Sequence, residues 1–290
     1  MTVAEALVFA STTLTEAGVD TPRFDAQLLL VWVLKARRED LAREPERELT
    51  DREQIIYAKA ISLRALRRPL PYITGEAWFY GRVFKINRAV LIPRPETEIL
   101  VELALAACRN IESPKLADIG TGSGCLAVTL AAERPDASIW ATDLSADALK
   151  EARKNVVRYQ LQNRVTLLHG DLLGPLPSDL RLDVVVSNPP YVTEAEHSEL
   201  QPEVRDYEPR LALSGLGDAA GPDGTALHRR ILAEAPASLK PGGRVLLEVG
   251  ASQAALVAKI ASELGYTDVE ITADYAQIGR VVSACFPDAS

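Results

Sequence analysis

Apolar and polar positions change their rhythm twice along the chain. Up to residue 68 the apolar positions recur at helical spacing, and no strand pattern appears. Thr21-Pro22 offers an N-cap and first helical position ahead of Phe24, Leu28, Leu29, Leu30, Trp32, Val33 and Leu34, and Thr50 caps a further run reaching about Arg67. These signals predict a small helical bundle over residues 1–68. Pro69-Leu70-Pro71 then breaks the helical pattern, and the aromatic and β-branched run Trp78–Ile86, with Gly81 at its centre, predicts a β-hairpin within a linker of residues 69–95. From residue 96 to 290 short apolar runs alternate with helical ones. Strands are expected at Lys115–Ile119, Ser138–Thr142, Val165–Leu168, Leu182–Val186 and Arg244–Val249, with helices between most of them, such as Ala146–Tyr159. The segment from Tyr266 through Gly279–Ala284 is expected to close the sheet with antiparallel strands. Such alternation predicts an α/β fold with a mostly parallel sheet covered on both faces, whose ligands bind outside the carboxyl ends of the strands.

Composition adds bounds. The 290 residues are 47% hydrophobic and 25% charged, ordinary values for globular protein in one large or two smaller domains. No run of about 18 uncharged apolar residues occurs, and the N-terminus lacks a basic stretch and carries Glu5 and Glu16, so a membrane anchor and a signal peptide are not expected and a cytoplasmic location is. Cys108, Cys125 and Cys285 are far apart and lack metal-ligand spacing, which predicts small core residues and no metal site. The net charge of −8 has the wrong sign for a protein that neutralises nucleic-acid phosphates. Arg64 to Arg94 nevertheless holds seven basic residues against one acid, Glu76, a segment suited either to an acidic partner or to solvent.

Every chemistry-bearing motif falls at the end of an expected strand. After the first, Asp118-Ile119-Gly120-Thr121-Gly122-Ser123-Gly124 leads into a helix, and its glycines permit a tight turn and close approach of a ligand to the backbone. Asp143 follows 19 residues after Gly124, where a ribose-binding acid belongs, and Asp171 ends the next strand in His169-Gly170-Asp171. Gly122-x-Gly124-x-x-Ala127 also satisfies a dinucleotide fingerprint. Asp118 would repel a pyrophosphate and face a cation, however, and three acids without a nearby Arg or Lys suit S-adenosylmethionine, with its sulfonium and ammonium groups. Each Asp by itself is also a common turn or cap residue.

Ser187-Asn188-Pro189-Pro190-Tyr191 ends the strand Leu182–Val186. Asn188 offers a side-chain carbonyl, Pro189 a backbone carbonyl with fixed φ, and Tyr191 an aromatic face. Together they form a rigid set of acceptors for the NH2 of an amide or a base amine, with no titratable base required; Asn-Pro also commonly just starts a turn.

The loop DIGTGSG, the acids Asp143 and Asp171 and the motif SNPPY resemble the successive motifs of class I S-adenosylmethionine-dependent amino-methyltransferases. TPRFDAQLLL at 21–30, RRPLPYITGEAWFYGRVFKI at 67–86, LIPRPETEILV at 91–101, EPRLAL at 208–213, LKPGGRVLLEVGASQ at 239–253 and GRVVSA at 279–284 resemble, more narrowly, the HemK/PrmC family of protein-(glutamine-N5) methyltransferases. The resemblance spans nearly the whole chain. It implies a Rossmann-like methyltransferase domain preceded by a helical domain that contacts peptide chain release factors, acting on the glutamine of their Gly-Gly-Gln loop and releasing S-adenosyl-L-homocysteine. It also implies that Gly120, Thr121, Gly122, Ser123 and Gly124 wrap the methionine part of the cofactor, with Asp118 beside them. Asp143 would hold the ribose, and Asp171 and Leu172 would border the adenine. Asn188, Pro189, Pro190 and Tyr191 would hold the glutamine amide, and Leu91 to Thr97, with Pro93 and Arg94, would wall the pocket. Three positions depart from the family pattern: Leu172 replaces the Trp of some relatives, residues 214–231 are longer than usual, and His228 stands where Tyr is common.

Three other expectations compete with that one: an amino-methyltransferase for adenine or cytosine in nucleic acid, a non-enzymatic cofactor- or partner-binding module, and a nicotinamide oxidoreductase. The acidic charge and the absence of a separate basic domain count against the nucleic-acid substrate. The resemblance implies class I release factors as partners, and a monomer is expected.

Overall fold

A computed structural model of the protein describes residues 1–217 and 219–287. The chain forms two compact units, one of residues Met1–Glu76 with Gln201–Tyr207, the other of Ala77–Leu200 with Glu208–Ser290.

The first unit is helical: α1 (Val3–Glu16), α2 (Pro22–Leu34), α3 (Arg38–Arg43), α4 (Asp51–Ala65) and α5 (Leu70–Thr74). Thr2 with Glu5 and Thr50 with Glu53 form capping boxes that satisfy the first free N–H groups of α1 and α4. Thr21 occupies the N-cap of α2, but its hydroxyl donates to Asp25 Oδ1 at 2.9 Å rather than capping the backbone. Leu14, Leu29, Leu30, Tyr57 and Ile61 fill the core, and the Tyr57 hydroxyl donates to the Ala26 carbonyl at 2.9 Å. Pro69 ends the long-helix pattern as expected and then serves as the N-cap of the short α5. Glu203 carries the segment Gln201–Tyr207, with its short helix α10 (Pro202–Arg205), into this unit, although it lies within the 96–290 stretch: its carboxylate accepts from Arg64 at 2.9 Å and from Arg67 at 2.6 and 2.7 Å. Arg64 is also bound to Asp25 at 2.6 Å. Arg64, Arg67, Arg82 and Arg94 of the basic segment are thus engaged within the protein, since Arg82 binds Glu133 and Arg94 binds Glu208 as well.

The second unit opens with the expected hairpin, β1 (Glu76–Phe79) and β2 (Arg82–Lys85), turning at Tyr80-Gly81. After α6 (Glu98–Ala107) come β3 (Lys115–Ile119), α7 (Cys125–Glu133), β4 (Ser138–Asp143), α8 (Ala146–Arg158), β5 (Val165–His169) and β6 (Leu182–Ser187). The short helices α9 (Glu194–Glu199) and α11 (Arg210–Ser214) then lead to α12 (Ala226–Glu234), β7 (Leu239–Glu248), α13 (Ala254–Glu263), β8 (Thr267–Ala273) and β9 (Gly279–Cys285). The seven-stranded sheet has the order β5-β4-β3-β6-β7-β9-β8; β9 runs antiparallel to β7 and to β8, and the other pairings are parallel. Every residue of β6 is buried, and Val185, Ile119, Val245 and Leu247 meet in one core, each such side chain contributing about 1.5–3 kcal/mol.

From β3 the chain steps outward through β4 and β5, then returns to place β6 on the other side of β3. The strand order therefore reverses between β3 and β6, which opens a crevice at their carboxyl ends. The glycine loop leaves one of these strands and SNPPY the other. Among the described residues, no helix is long and apolar enough to cross a membrane.

Candidate active site

A cavity of about 500 Å³, the size of a nucleoside-bearing ligand, lies at these strand ends, lined from both sides of the crevice. On one side Gly120, Gly122 and Gly124 adopt φ of 75°, 55° and 79°, a region that L side chains rarely enter. A Cβ on Gly120 or Gly122 would meet no protein atom within 4 Å, so the loop presents bare backbone to the cavity. Gly124 instead caps α7 and packs against Ala152 of α8. The amphipathic α8 also supplies the buried Asn155, whose Nδ2 donates to the Ser123 carbonyl at 2.8 Å and to the Lys85 carbonyl at 2.9 Å, fixing the loop against β2.

Asp118 does not line the cavity. It is fully buried behind the loop, and its Oδ2 accepts from the Thr121 hydroxyl at 2.6 Å and from the Ala127 N–H at 3.1 Å. Burial pushes its carboxyl up to about 7, with those two hydrogen bonds pulling the other way. It braces the loop rather than facing a cation, so its repulsion of a pyrophosphate no longer discriminates between nucleoside ligands. Asp143 does line the cavity; Oδ2 accepts from Gly122 N–H and Oδ1 from Ser145 N–H, both at 2.8 Å, and burial raises its pKa. Asp171 and Leu172 line it too, but Asp171 has a basic neighbour: Arg230 of α12 donates to its Oδ2 at 2.8 Å. No local pattern announces this pair, because 59 residues separate its members.

On the other side stand Asn188 and Pro190, together with Leu91, Pro93, Arg94 and Thr97. The Arg94 guanidinium binds the buried Glu208, which also accepts from Ile92 N–H at 3.1 Å, so this wall is held from within. Asn188 Nδ2 donates to Thr97 Oγ1 at 3.2 Å, and Thr97 Oγ1 donates to Glu248 Oε2 at 2.6 Å. Burial pushes the Glu248 carboxyl up to about 7; the Thr97 hydrogen bond opposes that shift.

Pro189 and Tyr191 do not line the cavity. Pro189 is buried, and the Tyr191 carbonyl accepts from Gln253 Nε2 at 3.1 Å, the same amide whose Oε1 accepts from Gly250 N–H at 2.9 Å. Burial pushes the Tyr191 hydroxyl up to about 12. Gly224 must be glycine, because a Cβ there would lie 2.0 Å from Gln253 Nε2 and 2.3 Å from the Tyr191 carbonyl. The long 214–231 segment therefore packs onto the SNPPY backbone, and its Gly215, Leu216 and Leu227 line the cavity; Asp218 lies outside the described residues. His228 is fully buried with Nε2 at 2.8 Å from the Glu248 carbonyl, and burial lowers its pKa. Of the cysteines expected in the core, Cys108 is buried, whereas Cys125 lines the cavity.

Comparison with known proteins decides between the nucleoside-binding folds that this geometry admits. The chain is 41% identical over 276 residues to a release factor glutamine methyltransferase of Chlorobaculum tepidum, covering 92% of each protein. It belongs to the release factor glutamine methyltransferase family. A member from Cereibacter sphaeroides is 40% identical over 289 residues, end to end in both chains. The PrmC N-terminal domain profile matches residues 5–75, and the methyltransferase small domain profile matches residues 96–204. The fold is shared with a methyltransferase structure from Pyrococcus furiosus, with a TM-score of 0.53 at 18% identity over 81% of this chain and 97% of that one. The resemblance drawn from LIPRPETE, SNPPY and their neighbours is thereby borne out as to family, fold and enzymatic class.

Thr97 falls within the stretch expected to wall the pocket, but its hydrogen bonds, and the places of Glu248, Glu208, Asn155 and Gln253, were not evident in the sequence. For Glu248 one signal was available: a lone acid closing the apolar run Val245-Leu246-Leu247 at a strand's carboxyl end.

Proposed function

We propose that this methyltransferase transfers the methyl group of S-adenosyl-L-methionine to the side-chain amide nitrogen, N5, of the glutamine in the Gly-Gly-Gln motif of class I peptide chain release factors. The observation that carries the proposal is Asn188, an amide on the cavity wall whose Nδ2 is held by Thr97, opposite bare glycine backbone at the point where the strand order reverses.

The residues present fit the donor. Gly120 and Gly122 leave open space where any side chain would project, room for the methionine part to approach the backbone. Asp143 retains lone pairs for ribose hydroxyls, and Asp171 stands at the rim for an exocyclic amine. Bound there, S-adenosyl-L-methionine supplies an electrophilic methyl group on a sulfonium and leaves as the thioether S-adenosyl-L-homocysteine.

For the acceptor, an amide nitrogen is a weak nucleophile, so the protein's main task is to aim its lone pair along the S–CH3 axis, an orientation effect of roughly several kcal/mol. Asn188 Oδ1 accepts one N–H of the substrate amide. Pro189, which cannot donate a backbone hydrogen bond, offers a carbonyl for the other once the substrate amide is seated. Tyr191 limits the shape of the group that carries the amide. The curated relatives named as release factor glutamine methyltransferases support the substrate class, and the helical unit, matched by the PrmC N-terminal profile, is assigned to release-factor contact.

The test is mass spectrometry of a class I release factor treated with the protein and S-adenosyl-L-methionine. An increment of about 14 Da, the mass of CH2 on chemical grounds, should map to the Gly-Gly-Gln glutamine and vanish when that glutamine is replaced by Ala. Methyl label in nucleic acid, with none in release factor, would sink the proposal.

A further inference from the structure

One half-buried amide and two buried groups from separate parts of the second unit form a single directed chain: Asn188 after β6, Thr97 ahead of α6, and Glu248 at the end of β7. The parallel register that pairs Ser187 with Leu247 brings Asn188 and Glu248 side by side. Thr97 is 3% exposed and Glu248 2% exposed, so solvent does not complete either group's hydrogen bonding.

We infer that Thr97 and Glu248 are positioning residues that fix the orientation of the Asn188 amide, so that its carbonyl end, and not its NH2 end, meets the acceptor. The inference rests on the glutamine-methylation reading and deepens it by naming what sets the polarity of the acceptor site. A carboxylate can only accept, so an ionised Glu248 takes the single hydroxyl hydrogen of Thr97. Thr97 Oγ1 then has only lone pairs left for Asn188, which must turn Nδ2 toward it. Among the described residues Oδ1 has no protein partner, and it is the atom left for the substrate N–H. With the amide reversed, an NH2 group would confront the NH2 of the substrate and no hydrogen bond would form. The directionality of the site is thus transmitted from an acid that does not itself touch the substrate.

Protonation of Glu248 reverses the chain. A carboxylic acid donates to Thr97 Oγ1, which frees the Thr97 hydrogen to point at Asn188 and invites the wrong end of the amide. Charged and titratable groups near Glu248 are Glu96, Arg94 and Arg280, with Tyr191 and Cys125 also within electrostatic reach and the neutral, buried His228 on its backbone carbonyl. Burial pushes Glu248 up to about 7, so the reversal falls inside an accessible pH range.

The decisive measurements are kcat, KM for release factor and the pH profile of kcat at saturating cofactor, for wild type, Thr97→Val, Thr97→Ser and Glu248→Gln. Calorimetric titration with S-adenosyl-L-homocysteine shows that each variant is folded. Thr97→Val should lower kcat about 100-fold with little change in KM, the scale expected for a misaligned reacting group, and Thr97→Ser should restore most of it. Wild-type kcat should climb as pH rises through about 7. In Glu248→Gln, which can present either end of its own amide, kcat should fall about tenfold and that acidic limb should disappear. A Thr97→Val kcat within threefold of wild type, or an acidic limb that persists unchanged in Glu248→Gln, overturns the inference. If wild type places no label on release-factor glutamine at all, the functional proposal fails instead, and the two failures are distinct.

Discussion

The two units bury carboxylates in opposite ways. In the helical unit, Glu203 and Asp25 meet Arg64 and Arg67 in a closed set of ion pairs, with the side chains of Asp25, Arg64 and Glu203 all under 15% exposed. Burial alone would raise the Glu203 pKa, but the guanidiniums outweigh it and hold the carboxyl below its ordinary value. In the methyltransferase unit, Asp118 and Glu248 are buried as deeply but are bound by hydroxyl and backbone N–H groups, and both are pushed up to about 7. A charge paired on all sides organises a scaffold. A carboxylate left to neutral donors remains free to brace a ligand loop or to direct a side chain, the signature of a working site. The pH dependences therefore have opposite signs. Glu203, with its pKa lowered, contributes stability that is present above the usual glutamate range and lost as pH falls through its folded pKa. Asp118 and Glu248, with raised pKa, contribute stability that is present below the usual carboxylate range and lost as pH rises toward about 7.

The largest break in this comparison should come from Asp118→Ala. It leaves the Thr121 hydroxyl and the Ala127 N–H without an acceptor and lets the glycine loop relax. The affinity for S-adenosyl-L-homocysteine should fall about 100-fold, read by calorimetric titration, the scale of two lost hydrogen bonds to a charged acceptor. Undiminished affinity would mean that the loop needs no brace. On the other side, Glu203→Gln should lower the unfolding free energy by about 2 kcal/mol at pH 7, because Arg64 and Arg67 lose a shared anion. Cofactor-product affinity should not change. The difference from wild type, followed by denaturant titration, should narrow as pH falls and the wild-type Glu203 protonates. A gap that widens toward acid pH would show the sign to be wrong.

Much of this architecture was legible in the chain. The alternation after Pro95 marks β3 to β6 to within a residue, most plainly at β3 and β6, which are buried on both faces and so read as apolar runs that little else produces. β7 begins at Leu239 rather than near Arg244, because Pro241-Gly242-Gly243, which looks like a turn, lies within a strand whose register shifts at that point. Gly120, Gly122, Asp143 and Asn188, expected at the site from their joint placement at strand ends, do line the cavity. The direction of the Asp118 side chain was not legible, since a residue at a strand end can turn either to the ligand or to the loop behind it. The Thr97–Glu248 bond spans 151 residues, and only the strand order makes the two neighbours.

Between the paired and the unpaired carboxylates stands Asp171, whose ion pair with Arg230 is about half exposed on both sides. It sharpens the comparison because it is an ion pair placed on a ligand cavity. Exposed pairs contribute only about 0.2–1 kcal/mol, as solvent screens them and the long side chain gives up freedom to form them. Arg230 also occupies the Asp171 oxygen that an exocyclic amine would use. Replacing it should therefore cost little and release an acceptor. Arg230→Ala should strengthen S-adenosyl-L-homocysteine binding by about twofold at low salt, with the gain shrinking as ionic strength rises and the wild-type pair weakens. Titrations at two salt concentrations measure this directly. A tenfold loss of affinity would place Arg230 in contact with the nucleoside itself and move Asp171 from the screened class of carboxylates to the paired one.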